Sequence, residues 1–505
     1  MNRFVRGSVS MLSALSSKPS PPSPESLSRK VVKGGIWVFA LQFINRGLGF
    51  VRTIILARLL APSDFGLLGI AMLAIATLET FSQTGFQTAL MQKKENVESY
   101  LDIAWTASAI RGVLIFLILF LSAPLAATFF NSPQATLVIK VIAVSTLLSG
   151  FRNIGILFFQ KELEFNKQFI YELSATLVDL TIAITLAFML RSVWALVWGG
   201  LAGNFVRLFM SYVLHSYRPH IRFEATKFKE LFGFGRWVLG SSILVFLVAQ
   251  GDDIFVGKML GVTALGLYQM AYLISNLPAT EITHVISQVT FPAYSKLQYD
   301  LQRLRGAYLD TLQLTAFVSM PIAGGIFVLA PEFTRIFLGE KWMLMVPAIQ
   351  VLVLAGLVRS IAATTGPIFY GIGRPRIDTM WQVIRLIVLI ALIYPFTLRW
   401  GILGASIAVL FSILVSTFGF SFMVIKITGC ELKHFGKMVV LPLLYSIIMI
   451  IVVIILKDSM QLIEVLEFFF LVGVGAISYF LVTFLFDGLL NYGIKKLIRE
   501  KLDFL

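Results

Sequence analysis

At 505 residues, 57% hydrophobic, 14% charged and with a mean hydropathy of +0.85, the chain carries more apolar surface than a water-soluble fold can cover. This excludes the soluble globular classes and places the chain in a bilayer. The net charge of +15 is read as an orientation signal with anionic lipid as the partner, and nucleic acid is not needed to account for it. Cys430, the one cysteine, excludes an intrachain disulfide and any cysteine-based metal cluster.

Residues 1–30 open the chain with Ser, Pro, Arg3, Arg6 and Lys18, no acid before Glu25, and no apolar core of signal-peptide length. They read as a disordered cytoplasmic tail, with an organelle transit peptide as the alternative. A membrane span takes roughly 20 predominantly apolar residues. Fourteen stretches qualify in order: 34–57, 65–90, 102–128, 135–159, 169–190, 193–215, 231–257, 264–294, 306–330, 346–370, 378–398, 401–425, 438–456 and 464–486. With the N-terminus inside, 26 Lys and Arg fall in inward segments and 7 in outward loops, so both termini are expected in the cytoplasm.

An internal repeat organises the spans. Shifting the sequence by 200 residues superposes Gly35, Trp37, Val38, Ile54, Leu60, Gly66, Leu67, Ala71, Leu73 and Thr80 on identical residues. Six spans separate the copies, so the halves share one orientation and are related by an axis along the membrane normal. The expected fold is an all-α integral membrane bundle of about 14 helices. It comprises a lobe at 31–215, a cytoplasmic linker at 216–230, a second lobe at 231–426, two additional helices at 427–487 and a basic cytoplasmic tail at 488–505.

Nine basic residues lie inside the spans. A cation in hydrocarbon is unfavourable by at least ~2.5 kcal/mol, so such residues face a cavity, pair with acids, or snorkel. In the first span Asn45 and Arg52 share a face with Arg46 adjacent, and an arginine fork suits phosphate oxygens. The second span carries Glu79, Gln83 and Gln87 along one stripe. Its repeat mate carries Glu281, His284 and Gln288, with Asn276 close to that stripe and Pro278 as a kink. Two such stripes form facing walls of one cavity, or else hydrogen-bond the bundle together.

Arg111, Lys140, Arg152, Arg207, Arg359 and Arg385 are scattered, with Asp179, Asp252, Asp253 and Glu281 available to neutralise them. Of these, Arg111 and Arg152 join Arg46 and Arg52 as candidate anion ligands, and Asp252 and Asp179 are candidate gate or ion-coupling groups. The repeat places Arg52 opposite Asp252, an expected outer gate pair. No phosphate-binding loop, zinc spacing or catalytic constellation is present in the sequence. The expectation is therefore a transporter of an anionic solute rather than an enzyme, with no cofactor or metal.

Particular runs carry a family resemblance. Arg46-Gly47-Leu48-Gly49-Phe50-Val51-Arg52, Ala57-Arg58-Leu59-Leu60 and Phe65-Gly66-Leu67 resemble the opening of the polysaccharide transporter family, the Wzx-type flippases. Lys229 to Gly235, Gly266-Leu267-Tyr268, Phe291-Pro292-Ala293, the Ala330 to Trp342 loop and Gly373-Arg374-Pro375 extend it over nearly the whole chain after residue 28. The superfamily also holds the MATE drug exporters and the lipid II flippase, and the likeness here is to the colanic-acid and lipopolysaccharide exporter branch.

The resemblance implies a V-shaped two-lobed bundle in the bacterial inner membrane. It would move undecaprenyl-pyrophosphate-linked oligosaccharide to the periplasmic leaflet by alternating access, with a polysaccharide polymerase and chain-length machinery as protein partners. It also implies a cationic-cavity role for Arg46 and Arg52. Glu79 and Thr80 stand where the lipid II flippase has a basic pair, which argues against lipid II as cargo. The competing readings are a MATE-type ion-coupled multidrug antiporter, whose cavity should be acidic, and a membrane glycosyltransferase or polymerase, which needs a larger outward loop than any here.

Overall fold

A computed structural model describes residues 24–83, 98–222, 224–276, 290, 293–460 and 463–502. The first helices are α1 (Pro24–Leu59), α2 (Pro62–Phe81), α3 (Glu98–Phe129), α4 (Ala135–Ile142), α5 (Val144–Gly150), α6 (Leu157–Lys161), α7 (Phe165–Leu190) and α8 (Trp194–Leu214). The second half begins with α9 (Ala225–Leu260), α10 (Val262–Ser275), α11 (Leu301–Phe333), α12 (Val346–Ala362), α13 (Gly366–Gly371) and α14 (Pro375–Thr428). The chain closes with α15 (Leu432–Ser459), α16 (Glu464–Leu489) and α17 (Ile494–Leu502). The expected tail thus lies outside the described residues up to residue 23, and α1 begins within its last few positions.

Eight described helices are long and apolar enough to cross a membrane, or nine if 135–161 is one span bent by 69°. That bend sits at Asn153, whose side-chain oxygen accepts from Gly155 N (2.8 Å) and whose backbone N–H donates to Ser211 Oγ (3.0 Å), so the interrupted backbone finds side-chain partners. The expected spans 378–398 and 401–425 are one run, α14, with a break at Gly401, where φ 59° and ψ −135° suit a residue without Cβ. The inner part of the expected 65–90 span and most of 276–294 fall outside the described residues, so those span limits rest on the sequence.

Two bundles result. In the first half α7 packs on α8, α1 on α7 and α3 on α5; in the second α12 packs on α14, α11 on α12 and α9 on α14. The additional helices α15 and α16 pack on each other and on α11. The halves meet where α2 crosses α10. A Cβ placed on Gly66 would lie 1.9 Å from the Val262 carbonyl oxygen, and one on Gly266 would lie 1.9 Å from that of Pro62. These four residues are related by the same 200-residue shift that the sequence repeat shows, so the pseudo-two-fold axis passes through this crossing. Glycine is required on both sides because the two backbones touch.

Candidate functional site

One turn beyond that crossing, a cavity of about 960 Å³ opens between the halves. Helix α1 contributes Arg46, Phe50 and Thr53, which recur at helical spacing on one face, with Arg52 beside them. Helix α7 contributes Thr176 and Asp179, and α9 contributes Val245, Val248 and Asp253. The far wall is Gln269 and Tyr272 of α10, Asn276 just past its end, Arg359 of α12, and Gln382 and Arg385 of α14. Four arginines thus face two aspartates across one space, which makes the cavity cationic.

Each charge has a definite setting. Arg52 Nη2 donates to Asp179 Oδ1 at 3.0 Å, and the two side chains are 21% and 25% exposed. Arg359 donates from Nη1 to Asn276 Oδ1 (2.9 Å) and from Nη2 to the Tyr272 hydroxyl, over whose ring its guanidinium lies at 5.3 Å. Arg385 has its Nε buried without a hydrogen-bond partner among the described residues. Among those residues no group of three or more His, Cys, Asp or Glu is placed to hold a metal ion.

Of the residues singled out in the sequence, the fold brings Arg46, Arg52, Asp179 and Asn276 to this wall. Several others sit elsewhere than expected. Arg52 pairs with Asp179 and not with Asp252, which is 2% exposed behind the wall and accepts from Tyr268 Oη at 2.8 Å. The repeat equates the two positions in sequence, but the apolar packing of α10 on α9 turns the Asp252 carboxylate into the second bundle. Arg111 donates to the carbonyls of Glu79 (2.7 Å) and Ser82 (2.9 Å). It therefore satisfies carbonyls at the end of α2, which have no partner within the helix.

Arg152 donates to Asn204 Oδ1 (2.6 Å) within the first bundle, near the Arg207–Glu172 pair (3.2 Å), and does not line the cavity. Glu79 and Gln83 are exposed and lie off the cavity wall. Asn45 is also off that wall, with Oδ1 buried and lacking a hydrogen-bond partner among the described residues. Gln87, Glu281, His284 and Gln288 lie outside the described residues. Arg359 and Arg385, scattered in the sequence, are wall residues, and so are Gln269 and Tyr272, which no sequence feature singled out. Intramembrane charge was the available signal for the two arginines.

The end of the cavity nearest the α2–α10 crossing is sealed by contacts between the bundles. Trp342, 0% exposed, donates from Nε1 to Ala57 O (2.9 Å) and meets the Phe65 ring edge-on at 5.3 Å. Lys341 Nζ donates to Arg58 O (2.9 Å) and Leu60 O (2.6 Å), while Arg58 Nε donates to Phe337 O (2.9 Å). Each bundle thus presents a cation to the carbonyl end of a helix in the other, where the macrodipole favours positive charge.

A second cavity, about 420 Å³ and almost wholly apolar, lies between α11, α15 and α16, lined by residues such as Ile322, Phe333, Phe468 and Leu471. Phe50 and Ile274 border both cavities. A charged chamber and an oily groove therefore share a wall.

Comparison with known proteins agrees with this architecture. A family model described as "Polysaccharide biosynthesis protein" matches residues 55–347. The chain belongs to the polysaccharide biosynthesis protein family. Its family relatives include the lipopolysaccharide biosynthesis protein WzxC of Escherichia coli K12, 27% identical over 425 residues that cover 84% of this chain and 86% of the relative. The succinoglycan biosynthesis transport protein ExoT of Rhizobium meliloti is 24% identical over 366 residues, 72% of this chain and 74% of the relative. The solved structure of lipid II flippase MurJ in an inward closed conformation superposes with a TM-score of 0.72 at 17% identity, covering 90% of this chain and 99% of that one. This likeness fixes the fold of the family member described here.

Proposed function

We propose that this chain is a flippase that carries an undecaprenyl-pyrophosphate-linked oligosaccharide from the cytoplasmic to the periplasmic leaflet for surface polysaccharide synthesis. The observation that carries the reading is the confluence of a cationic cavity with an apolar groove through Phe50 and Ile274. An amphiphile with an anionic head and a long hydrocarbon tail needs that pair of environments at once. Arginine forks pair with diphosphate oxygens in a poorly hydrated chamber, while Gln269, Asn276 and Gln382 offer hydrogen bonds to sugars. The tail stays in the groove or in lipid.

The chain acts as a transporter and not as an enzyme in this reading. Placed with both termini in the cytoplasm of the bacterial inner membrane, the Trp342 and Lys341 contacts close the periplasmic side, and rocking of residues 31–215 against 231–426 would open it. Asp252 and Asp253 are candidates for ion coupling; loss of a proton- or sodium-gradient requirement in neither Asp252→Asn nor Asp253→Asn would discard them. A polymerase and chain-length machinery are the expected protein partners.

Flipping in proteoliposomes carrying fluorescent undecaprenyl-pyrophosphate oligosaccharide tests the reading. Transport by wild type that is lost in Arg46→Ala and Arg52→Ala supports it. A folded wild type that flips nothing and exports organic cations overturns it. The four-to-two excess of arginine over aspartate on the wall already disfavours that antiporter reading.

A further inference from the structure

We propose that Asp179 is a resident counter-anion: in the empty cavity its carboxylate neutralises Arg52, and the diphosphate of the cargo displaces it and takes over the guanidinium. The inference rests on the functional reading above and adds to it a specificity device.

Three observations carry it. The first is that the pair is open to exchange. Both side chains border the cavity and keep about a quarter of their surface accessible, so an incoming anion reaches them without unpacking the bundle. The second is that the contact uses one prong of the fork. Nη2 meets Oδ1, whereas Arg52 Nε is buried with no hydrogen-bond partner among the described residues. A carboxylate that satisfied Arg52 fully would be bidentate, so an unused donor remains for a second oxygen.

The third is that Asp179 is held from behind. Helix α8 presents Gly199 and Gly203 to it: a Cβ at Gly199 would stand 2.8 Å from Asp179 Oδ1, and one at Gly203 would stand 3.0 Å from Asp179 Cβ. The carboxylate is seated in a cleft made by two glycines, so it stays with α7 and α8 when Arg52 turns towards a ligand. Arg359, in contrast, is held by the neutral groups of Asn276 and Tyr272.

The physical consequence is a compromise between capture and release. A cation already neutralised gives little hold to a singly charged ion, whereas a diphosphate brings more charge and two oxygens to one fork. Once displaced, the Asp179 carboxylate is a like charge beside the bound head group, which weakens retention and favours departure. Conduction through any such site needs binding strong enough to load and weak enough to leave.

The test is calorimetric titration of the purified full-length chain with inorganic pyrophosphate and with geranyl pyrophosphate, in wild type, Arg52→Ala, Asp179→Asn and Asp179→Ser. Asparagine keeps an acceptor oxygen for Arg52 at the same place and removes only the charge. The expected result is that both Asp179 variants bind both probes about tenfold or more tightly, since they lose a like charge, while their flipping in proteoliposomes slows. A purely structural Asp179 predicts the opposite sign, because an unsupported Arg52 would be mispositioned. Equal or weaker binding in folded Asp179→Asn, with wild-type binding still dependent on Arg52, overturns this inference and leaves the flippase reading intact. No binding of either probe by wild type overturns both.

Discussion

Among single residues, the arginines separate into those that face the cavity and those that hold backbone. Arg46, Arg52, Arg359 and Arg385 border the chamber, whereas Arg111 caps the carbonyls of Glu79 and Ser82 at the end of α2. The two groups should fail differently. Arg385→Ala is expected to lower flipping by about tenfold or more with unchanged thermal unfolding, since a charge-assisted contact to the head group is worth roughly 1.5–3 kcal/mol. Arg111→Ala should instead lower stability by about 1 kcal/mol, because the carbonyls that end α2 lose their charge-assisted side-chain partner. Thermal unfolding and flipping measured on both proteins check the contrast, and a fully stable but inactive Arg111→Ala would return that residue to the substrate path. That arginines lie in the spans is legible in the sequence. Which of them point at the cavity is not, because that depends on what the fold sets opposite each side chain and not on the helix that carries it.

Between elements, the decisive contacts are the α2–α10 crossing and the reciprocal cation caps beside it. The Gly66–Val262 and Gly266–Pro62 approaches leave no room for a methyl group, so Gly66→Ala should force the crossing apart. The measurement is labelling of a cysteine introduced at Leu60 in a Cys430→Ser background by a membrane-impermeant maleimide. Labelling should rise several-fold in Gly66→Ala and in Lys341→Ala, as the Lys341 bonds to Arg58 O and Leu60 O are lost. Unchanged labelling in both would mean that the contact is not what closes this end. The repeat made Gly66 and Gly266 visible as equivalent positions. That they touch was not visible, since a symmetry of sequence names equivalent residues without saying which of them lie on the axis.

At the scale of the whole molecule, the additional helices gain a use that the repeat does not give them. Helices α15 and α16 complete the apolar groove with α11, and Gly325 on its wall has open space where a side chain would go. Gly325→Trp should fill that space. Flipping of cargo on a long prenyl chain is then expected to fall by about tenfold or more, while cargo on a short geranyl chain is handled as by wild type, because a long buried chain gains roughly 0.8 kcal/mol per methylene and a short one need not enter. Equal loss for both chain lengths would assign the groove to packing alone.

The sequence by itself determined the membrane class, most of the span positions, the internal repeat and the cationic first helix. These follow from hydropathy, charge and spacing, which are properties of the chain taken in order. Only the tertiary structure decided that Arg52 faces Asp179, that Arg359 and Arg385 come from distant helices to the same chamber, and that Asp252 turns away from it. Those outcomes depend on helix rotation and on which faces pack, and both are set by contacts between residues far apart in the sequence.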